Sequence, residues 1–412
     1  MPANTLQNIS MTTLSDKLLA SSGFCSLPFL HSCVFPDGAA IPCCVNHEYE
    51  YGNTNKDLYS DIFSNKNDKL IEFRRQFLNS DTLPDSCSAC KSNSFGNQDT
   101  YRSNMNNFLK AELEKFTTEE ELLNNENYYS YDIRFSNLCN LRCHYCGPQE
   151  SSRIAEEWTN LYNWPMDKVL VKNVNDDNVD DFFEFFENNI QNIRKVYSCG
   201  GEPILLKEHY TILDLLLKHG VENQVELLYN SNLTHLSLGN KNILDYWKKF
   251  PNVLINVSVD AGWDQFEYIR DGGKWNDIYN NLKTIVETLP HVVLQLSPVI
   301  TFWNMLHFPR LYKFLIDEKL IKRSHLQIQP VNGIDWMHPS ILPADIKQTI
   351  INHYNEYYSD YKELEHLLNT MNMQDSSHLL TETKSRIDGI DKNRHKDFYL
   401  TFPEYKDLFK DV

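Results

Sequence analysis

Long apolar runs are missing from this sequence of 412 residues. No stretch approaches the roughly 20 apolar residues that a helix needs to cross a bilayer, so an ordinary membrane-spanning protein is excluded. The first ten residues, MPANTLQNIS, also lack the charged and then apolar layout of a secretory signal peptide. We therefore expect a cytoplasmic protein that works in a reducing compartment and has no membrane partner.

Positive charge is also scarce. The chain has 39 Lys and Arg against 56 Asp and Glu, which gives a net charge of −17 at pH 7. Because affinity for nucleic acid rests largely on clustered Lys and Arg, this balance argues against a nucleic-acid partner. The apolar share of 41% and the charged share of 23% are those of an ordinary globular protein, and the length suits two or three domains.

Ten cysteines are present, and in a reducing compartment they do not indicate a disulfide framework. Six lie in the first hundred residues and four in the next hundred, and none follows. The composition changes at the same place. Residues 21–100 are rich in Gly, Pro, Ser and Asn, which predicts short strands and loops, whereas the Glu- and Lys-rich residues 101–130 predict a connecting helix.

From about residue 131, strand-like runs alternate with amphipathic stretches. The predicted strands are 131–136, 193–198, 225–229, 253–259, 292–300 and 325–329. The predicted helices lie near 150–163, 207–219, 236–249, 275–289 and 305–320, with a further helix over 176–189. This alternation implies parallel βαβ units and therefore an α/β fold with a partial (β/α)6 barrel of the TIM type. Residues 331–412 lack the alternation and predict a helical C-terminal extension.

Chemically informative residues follow these predicted strands. In α/β barrels the active site lies at the carboxyl ends of the strands. Three cysteines follow the first predicted strand, and the segment Cys199-Gly-Gly-Glu-Pro follows the second. Polar residues follow the third and fourth: Asn230, Ser231, Asn232, Ser258 and Asp260. The pattern predicts that these residues share one site.

The three cysteines Cys139, Cys143 and Cys146 are spaced as CxxxCxxC. Thiolates suit zinc or iron–sulfur clusters. A structural zinc site closes four protein ligands, and His144 lies awkwardly inside the loop for the fourth position. Three thiolates on one tight loop can instead hold three irons of a [4Fe–4S] cluster and leave the fourth iron open to a small molecule.

This spacing after a first strand, followed later by Gly200-Gly201-Glu202-Pro203, resembles the radical S-adenosylmethionine (SAM) superfamily. The resemblance implies that the open iron chelates the amino and carboxylate groups of SAM. It also implies that one electron from the cluster cleaves SAM to methionine and a 5′-deoxyadenosyl radical, which abstracts hydrogen from a substrate. Taken alone, the Gly-Gly-Glu-Pro segment is equally typical of a turn with proline at the start of a helix.

The same resemblance assigns SAM binding to residues around the predicted cluster: Tyr145, Gly200, Gly201, Glu202, Ser231, Asn232, Ser258 and Arg270. It implies that the Gly-Gly-Glu segment contacts the amino group of SAM and that Tyr145 lies near the adenine. Arg270 would pair with the SAM carboxylate, to which Ser258 would donate a hydrogen bond. The alternative for the polar residues is a turn or a helix cap, because Ser and Asn favour both.

The N-terminal cysteines form a second pattern. Cys25 is followed by twelve residues, Gly38, four residues and Cys43, and Cys87-Ser-Ala-Cys90 comes later. The Asp-Gly pair at 37–38, between two short apolar runs, predicts a hairpin that would bring Cys25 and Cys43 to one end. Four converging thiolates can close either a zinc site or a [4Fe–4S] cluster, and geometry alone does not choose between them.

This second pattern resembles the auxiliary-cluster domains called SPASM and twitch. The resemblance implies one auxiliary [4Fe–4S] cluster held by Cys25, Cys43, Cys87 and Cys90. Cys44 is an alternative to Cys43, and a structural zinc site is the alternative to the cluster. Such domains usually follow the radical SAM barrel, whereas here the pattern precedes it, as in the N-terminal twitch radical SAM proteins.

The chain resembles those proteins over nearly its whole length. Its expected domain boundaries follow from the changes in composition and in the alternation of predicted elements. We expect a tail over 1–20, a twitch-like α+β domain over 21–110 and a helical linker over 111–130. A radical SAM barrel would follow over 131–330, and the helical extension over 331–412.

The expected function is that of a radical SAM enzyme acting on a peptide or a small metabolite. Its first reduction would need a low-potential electron donor such as flavodoxin or ferredoxin. Two other classes fit part of the pattern. A two-cluster electron-transfer protein would keep both cysteine groups without needing the Gly-Gly-Glu segment, and a zinc-binding interaction module would keep the cysteines alone.

Overall fold

The computed structural model describes residues 13–91, 100–173, 178–331 and 333–410. The chain divides into two units. The first comprises residues 1–136, 172–198 and 211–225, and the second comprises residues 137–171, 199–210 and 226–412. The N-terminal segment MPANTLQNIS lies outside the described residues.

Helices occur in both units and dominate the C-terminal region. In chain order the α-helices are Leu14–Ala20, Leu27–Leu30, Tyr59–Ile62, Asp68–Leu78, Ser88–Lys91, Tyr101–Phe108, Lys110–Leu113, Glu119–Leu123, Ser152–Tyr162, Val179–Asn188, Lys207–Lys218, Ile243–Trp247, Trp263–Ile269, Trp275–Thr288, His307–Asp317, Ala344–Tyr357, Glu365–Asn372, Leu380–Arg394 and Phe398–Thr401. The helices beyond residue 331 confirm the predicted helical extension. Among the described residues, no helix is long and apolar enough to span a membrane.

The first unit contains a mixed sheet. Its central strand, Ser130–Ile133, pairs in parallel with Lys195–Ser198 on one side and with His31–Val34 on the other. The strand His31–Val34 then forms the predicted hairpin with Ala39–Ile41, which in turn pairs with Gly52–Asn53. Gly38 has a φ of +87° in the turn of this hairpin, a conformation that favours glycine.

The second unit contains a parallel ladder of Glu226–Ser231, Asn252–Val257 and Val293–Leu296. Inward and outward side chains alternate along Asn252–Val257, where Val253, Ile255 and Val257 are buried. This two-residue period is the one expected for a strand whose β-branched side chains pack on one face. Parallel strands alternating with helices confirm the α/β fold class.

Short two-residue strands complete the second unit. They form three pairs: Arg142–Cys143 with Arg270–Asp271, Ser237–Leu238 with Lys241–Asn242, and Val299–Ile300 with Gln329–Pro330. The first of these pairs matters most for function, because it fixes one of the motif cysteines.

The fifth predicted strand is interrupted. The run 292–300 forms Val293–Leu296 and then, after a break, Val299–Ile300. The break falls at Pro298, which has no N–H to contribute to a ladder. Its carbonyl still accepts a hydrogen bond from the Gln329 N–H at 2.8 Å. One long predicted strand is therefore two short ones.

The sixth predicted strand, 325–329, is mostly irregular. Only Gln329–Pro330 is assigned to a strand, and an isolated bridge joins Leu326 to Leu296. The His325 N–H donates to the Lys322 carbonyl at 2.9 Å, so the chain is still turning where the strand was expected to begin. Regular pairing is short here because the neighbouring strand is itself interrupted.

The predicted connecting helix over 101–130 is divided into Tyr101–Phe108, Lys110–Leu113 and Glu119–Leu123. The last of these begins at Thr118, which has an extended backbone and forms a capping box with Glu121. A threonine in this geometry starts a new helix rather than continuing an old one, because its side chain accepts from the exposed backbone N–H groups.

Candidate functional site

Cys139, Cys143 and Cys146 lie on one loop of the second unit. The Cys146 N–H donates to the Cys143 carbonyl at 3.1 Å, which turns the chain tightly between these two residues. Cys143 is buried, and a hydrogen bond from the Cys146 thiol lowers the pKa of Cys143 while raising that of Cys146. Burial raises the pKa of Cys139 to about 12. The loop thus keeps these thiols close together, and two of them are in direct contact.

Two polar side chains anchor this loop. The buried Asn137 amide donates to the carbonyls of Pro148 and Val169 at 2.8 and 3.0 Å, and its oxygen accepts from the Val171 N–H at 3.0 Å. Ser151 caps the helix Ser152–Tyr162 and donates from its Oγ to the Leu141 carbonyl at 2.7 Å. The loop backbone is therefore held at both ends.

The Gly-Gly-Glu segment packs directly on the backbone of the cysteine loop. A Cβ atom on Gly201 would lie 2.0 Å from the Leu138 carbonyl oxygen, so only glycine fits there. The Glu202 N–H donates to the same oxygen at 2.7 Å. Gly200 has a φ of +106°, which also favours glycine. Two motifs about sixty residues apart in the chain therefore meet at Leu138.

Glu202 is 1% exposed, and its carboxylate accepts three hydrogen bonds. The donors are Ser231 Oγ at 2.8 Å, the Asn232 N–H at 2.8 Å and the Ile204 N–H at 3.3 Å. Burial raises the pKa of Glu202 to about 7, and these donors oppose that rise. The structure thus brings Glu202, Ser231 and Asn232 together.

Asn232 connects this carboxylate with the cysteine loop. Its Nδ2 donates to Asn140 Oδ1 at 3.1 Å and lies 4.0 Å from Cys139 Sγ. The Leu141 N–H donates to the same sulfur at 3.5 Å. The sulfur of Cys139 therefore faces two N–H donors, one from a side chain and one from the backbone.

Arg270 forms a bidentate ion pair with Asp260. Its Nε and Nη2 donate to the two carboxylate oxygens at 2.8 and 3.1 Å, and its Nη1 lies 3.7 Å from Cys143 Sγ. Tyr145 donates its hydroxyl proton to the same carboxylate at 2.6 Å, and the Val299 N–H donates at 2.8 Å. Asp260 is fully buried and is the meeting point of these groups.

Ser258 is half-buried, and its N–H donates to the Ser231 carbonyl at 3.0 Å. It therefore lies beside the strand end that carries Ser231 and Asn232. Every residue that the sequence assigned to SAM binding is in the second unit, as are the three cysteines of the loop.

Sequence reasoning gave too little weight to Asp260. A Ser-x-Asp step after a strand predicts a turn as readily as a functional residue, so Asp260 was placed at the shared site but was not assigned a role in SAM binding. The signal available in the sequence was Tyr145, directly before Cys146, together with Arg270. When a tyrosine hydroxyl and a guanidinium are buried, both need a hydrogen-bond acceptor, and one carboxylate can serve both. Asn137 and Ser151, which hold the loop, carry no sequence signal beyond their ordinary preference for turns and caps.

The N-terminal cysteines lie in the first unit. Cys25 and Cys43 are buried, whereas Cys87 and Cys90 are partly exposed. Burial raises the pKa of the Cys25 thiol to about 12, and the neighbouring Cys87 and Cys90 raise it further. Cys43 is influenced by Cys25 and Cys90 in the same way. The four thiols are therefore close enough to influence one another's pKa values.

In the described part of the chain, these four sulfurs are not grouped as closely as the ligands of a bound zinc ion. Among the described residues, no three of them lie within 4.8 Å of one another. A tetrahedral zinc ion with Zn–S bonds of about 2.3 Å separates its sulfurs by about 3.8 Å. A cube of iron and sulfide holds its thiolate ligands farther apart, so the distances alone do not choose between the two groups.

Cys44 has different neighbours from Cys43. Burial raises its pKa to about 12, Asp132 raises it further, and a hydrogen bond with Tyr101 lowers it. The thiols of Cys25 and Cys90 influence Cys43 instead. The two adjacent cysteines therefore have different surroundings.

Residues 133–315 match the family model of the radical SAM superfamily. This match includes the three-cysteine loop and the Gly-Gly-Glu segment. Residues 25–91 match the SPASM model, described as an iron–sulfur cluster-binding domain. Both resemblances in the sequence are thereby confirmed, and the iron–sulfur domain precedes the radical SAM domain. Together the two matches imply [4Fe–4S] and SAM binding, and they support an enzyme.

Similar proteins cover only parts of the chain. A GTP 3′,8-cyclase from Listeria welshimeri serovar 6b is 27% identical over 158 residues, which are 38% of this chain and 40% of the relative. The chain thus matches less than half the length of that relative. Among solved structures, anSMEcpe with bound AdoMet is 17% identical with a TM-score of 0.39, over 57% of this chain and 62% of that one. Streptococcus suis SuiB bound to S-adenosylmethionine is 14% identical with a TM-score of 0.36, over 63% and 60%.

Proposed function

We propose that this protein is a radical SAM enzyme that reductively cleaves SAM and abstracts hydrogen from a peptide or a small metabolite. The observation that carries the proposal is the contact at Leu138. There the Gly-Gly-Glu segment lies against the three-cysteine loop with no room for a Cβ on Gly201. An electron carrier or a zinc module would not need this close approach.

Cys139, Cys143 and Cys146 would hold three irons of the SAM-binding cluster. Three soft donors on one short loop fit a [4Fe–4S] cluster with an open iron, and a fourth cysteine is not needed there. When bound, this cluster supplies the electron that cleaves SAM to methionine and a 5′-deoxyadenosyl radical. The loop is held by Asn137 and Ser151, so its sulfurs are positioned before any ligand arrives.

The residues around the loop would place SAM. The backbone at Gly200 and Gly201 allows close approach to the amino group. Glu202 accepts three hydrogen bonds and, with about four lone-pair positions on a carboxylate, retains one for an ammonium group. Ser231 and Asn232 would hold this carboxylate in place.

Arg270 would act on the cysteine loop through its contact with Cys143. Because Asp260 takes two of its donors, its remaining Nη1 faces Cys143 Sγ. Hydrogen bonds to cluster sulfurs are one of the means by which a protein tunes the reduction potential. Arg270 would also contact the SAM carboxylate, through the same Nη1 edge of its guanidinium group. Ser258 would donate a hydrogen bond to that carboxylate. Tyr145 is held by Asp260 and would present its ring toward the adenine.

A second, auxiliary [4Fe–4S] cluster would be held by Cys25, Cys43, Cys87 and Cys90. The match of residues 25–91 to an iron–sulfur cluster-binding domain supports a cluster over zinc, and the neighbours of Cys43 support it over Cys44. Four protein ligands leave no open iron, so this cluster would transfer electrons or brace the domain rather than bind substrate. A flavodoxin or ferredoxin would supply the first electron.

Anaerobic reconstitution tests the proposal. We expect a brown protein with about eight irons per chain, four for each [4Fe–4S] cluster, that forms 5′-deoxyadenosine from SAM after dithionite reduction. Iron without SAM cleavage would identify an electron carrier instead, and zinc without iron would identify a zinc module. Cys143→Ala should abolish SAM cleavage, and Cys44→Ala is the matched control that should keep both iron content and cleavage.

A further inference from the structure

A second group of metal-ligating side chains lies in the sheet of the first unit. In the parallel pairing of His31–Val34 with Ser130–Ile133, His31 is opposite Ser130 and Cys33 is opposite Asp132. Because side chains on a strand alternate between faces, these four residues share one face of the sheet. Neither Cys33 nor His31 belongs to the cysteine set of the auxiliary cluster.

The ligand atoms of this group are close together and hidden from solvent. One ring nitrogen of His31, Cys33 Sγ and one carboxylate oxygen of Asp132 all lie within 4.8 Å of one another. The exposed fractions of the three residues are 2%, 0% and 1%. Polar groups this deeply buried normally have full sets of partners, so an incomplete set calls for an explanation.

His31 is the residue whose set of hydrogen-bond partners is incomplete. Its Nδ1 lies 3.0 Å from Ser130 Oγ, whereas its Nε2 is buried without a hydrogen-bond partner. When Nδ1–H donates to Ser130, Nε2 presents a bare lone pair to the interior. A histidine that binds a metal usually has this arrangement, with one nitrogen on the metal and the other N–H held by a neighbouring acceptor.

Asp132 is held in a similar way. Arg134 donates from Nε and Nη2 to its two oxygens, both at 3.0 Å, and the Cys33 thiol lies 3.5 Å from Oδ2. A carboxylate has about four lone-pair positions, so it can bind a metal and accept hydrogen bonds at the same time. Metal-binding carboxylates are themselves commonly fixed by such hydrogen bonds.

We propose that His31, Cys33 and Asp132 bind one Zn²⁺ ion, separate from the two iron–sulfur sites. Imidazole, thiolate and carboxylate together are a donor set that zinc accepts, with bonds of about 2.0–2.3 Å. Such bonds separate tetrahedral donors by about 3.3–3.8 Å, so small side-chain rotations close the site. Among the described residues, no further His, Cys, Asp or Glu joins this group, so these three residues would supply its protein ligands.

The test uses the full chain with both clusters reconstituted anaerobically. The protein is incubated with Zn²⁺ alone and desalted, and its zinc and iron contents are measured by mass spectrometry. We expect about one zinc per chain, and at least a tenfold loss of zinc in His31→Gln and in Cys33→Ser. Ser130→Ala keeps all three ligands and should weaken zinc affinity by about 10–100-fold.

Two controls separate this site from others. His209→Gln changes an equally buried histidine outside the group and should keep the zinc. Cys87→Ala should lose iron and keep the zinc. The proposal is overturned if the zinc content of the wild type is zero or is unchanged in His31→Gln, Cys33→Ser and Ser130→Ala. It is also overturned if Cys33→Ser loses iron instead, because Cys33 would then be a cluster ligand.

Discussion

At the scale of single residues, Asp260 carries the densest set of interactions around the cysteine loop. Its buried carboxylate pairs with Arg270 and accepts from Tyr145 and from the Val299 N–H. The cysteine spacing and the Gly-Gly-Glu segment could be predicted from the sequence, because each has a chemical reason that is local in the chain. The role of Asp260 could not, because it depends on partners from three separate segments.

The Asp260→Asn variant should leave the Arg270 guanidinium buried without its countercharge. Removing one partner of a buried ion pair typically costs about 3–5 kcal/mol. We expect a clear fall in thermal stability and strongly reduced formation of 5′-deoxyadenosine. Asp277→Asn, at an exposed position of the helix Trp275–Thr288, is the matched control and should change neither. Equal behaviour of the two variants would contradict the role of Asp260.

Gly201→Ala tests the close approach at Leu138. The added Cβ would lie 2.0 Å from a backbone oxygen, so the cysteine loop must move. We expect loss of SAM binding, measured by isothermal titration calorimetry of the reconstituted protein. Gly389→Ala is the control: a Cβ there meets nothing within 4 Å, and in a helix the change should be neutral or stabilising by up to about 1 kcal/mol. SAM affinity that is unchanged in Gly201→Ala would contradict the proposed site.

Glu202 makes stability depend on pH in a defined direction. Burial raises its pKa from the usual 4.5 to about 7, so the folded chain holds this proton more tightly than the unfolded chain. The stabilisation is complete below pH 4.5 and is lost as pH rises through 7. Between about pH 6 and 8, thermal unfolding of the wild type should shift downward relative to Glu202→Gln. If the thermal unfolding of the wild type did not change relative to Glu202→Gln over this range, the pKa of Glu202 would not be raised.

At the scale of elements, the helix Leu380–Arg394 braces the cysteine loop. Arg394 donates to both oxygens of Glu157 at 2.8 and 2.6 Å and to the Arg142 carbonyl at 2.7 Å. Helix positions were largely predictable from periodicity, and the break at Pro298 follows from its missing N–H. The pairing of Arg394 with Glu157 was not predictable, because nothing local marks partners so far apart in sequence.

Arg394→Ala should therefore destabilise the cysteine loop, although Arg394 lies far from the loop in the sequence. It removes the ion pair that Arg394 forms with the buried Glu157, which keeps Asn393 at 2.7 Å and Arg142 at 3.7 Å, and it frees the carbonyl beside Cys143. Because these partners remain, the cost should be at most about 3–5 kcal/mol. We expect lower stability and reduced iron content at the first cluster. Arg386→Ala, on the same helix but with both partners of its ion pair about half exposed, should cost less than about 1 kcal/mol. Similar losses in the two variants would rule out a specific brace.

At the scale of the whole molecule, the chain has two cysteine groups in two units. The α/β class and the helical C-terminal region followed from the sequence pattern. The sheet of the first unit was harder to foresee, because His31–Val34 pairs in parallel with Ser130–Ile133, about a hundred residues later. Long-range pairing of this kind joins residues that composition alone assigned to separate domains.

The two cysteine groups should also be separable by mutation. Cys87→Ala is expected to lose about four irons while the first cluster stays in place, because each group supplies its own ligands. Iron analysis with electron paramagnetic resonance of the reduced protein measures this, with Cys44→Ala as the control that keeps all its iron. Unchanged iron content in Cys87→Ala would show that the N-terminal group holds no cluster.

The most direct test of the account is whether the reduced protein cleaves SAM. Anaerobically reconstituted protein is incubated with dithionite and SAM, and 5′-deoxyadenosine is measured by liquid chromatography and mass spectrometry. We predict 5′-deoxyadenosine from the wild type and none from Cys143→Ala. A wild-type protein with a full complement of iron and no 5′-deoxyadenosine would contradict the account.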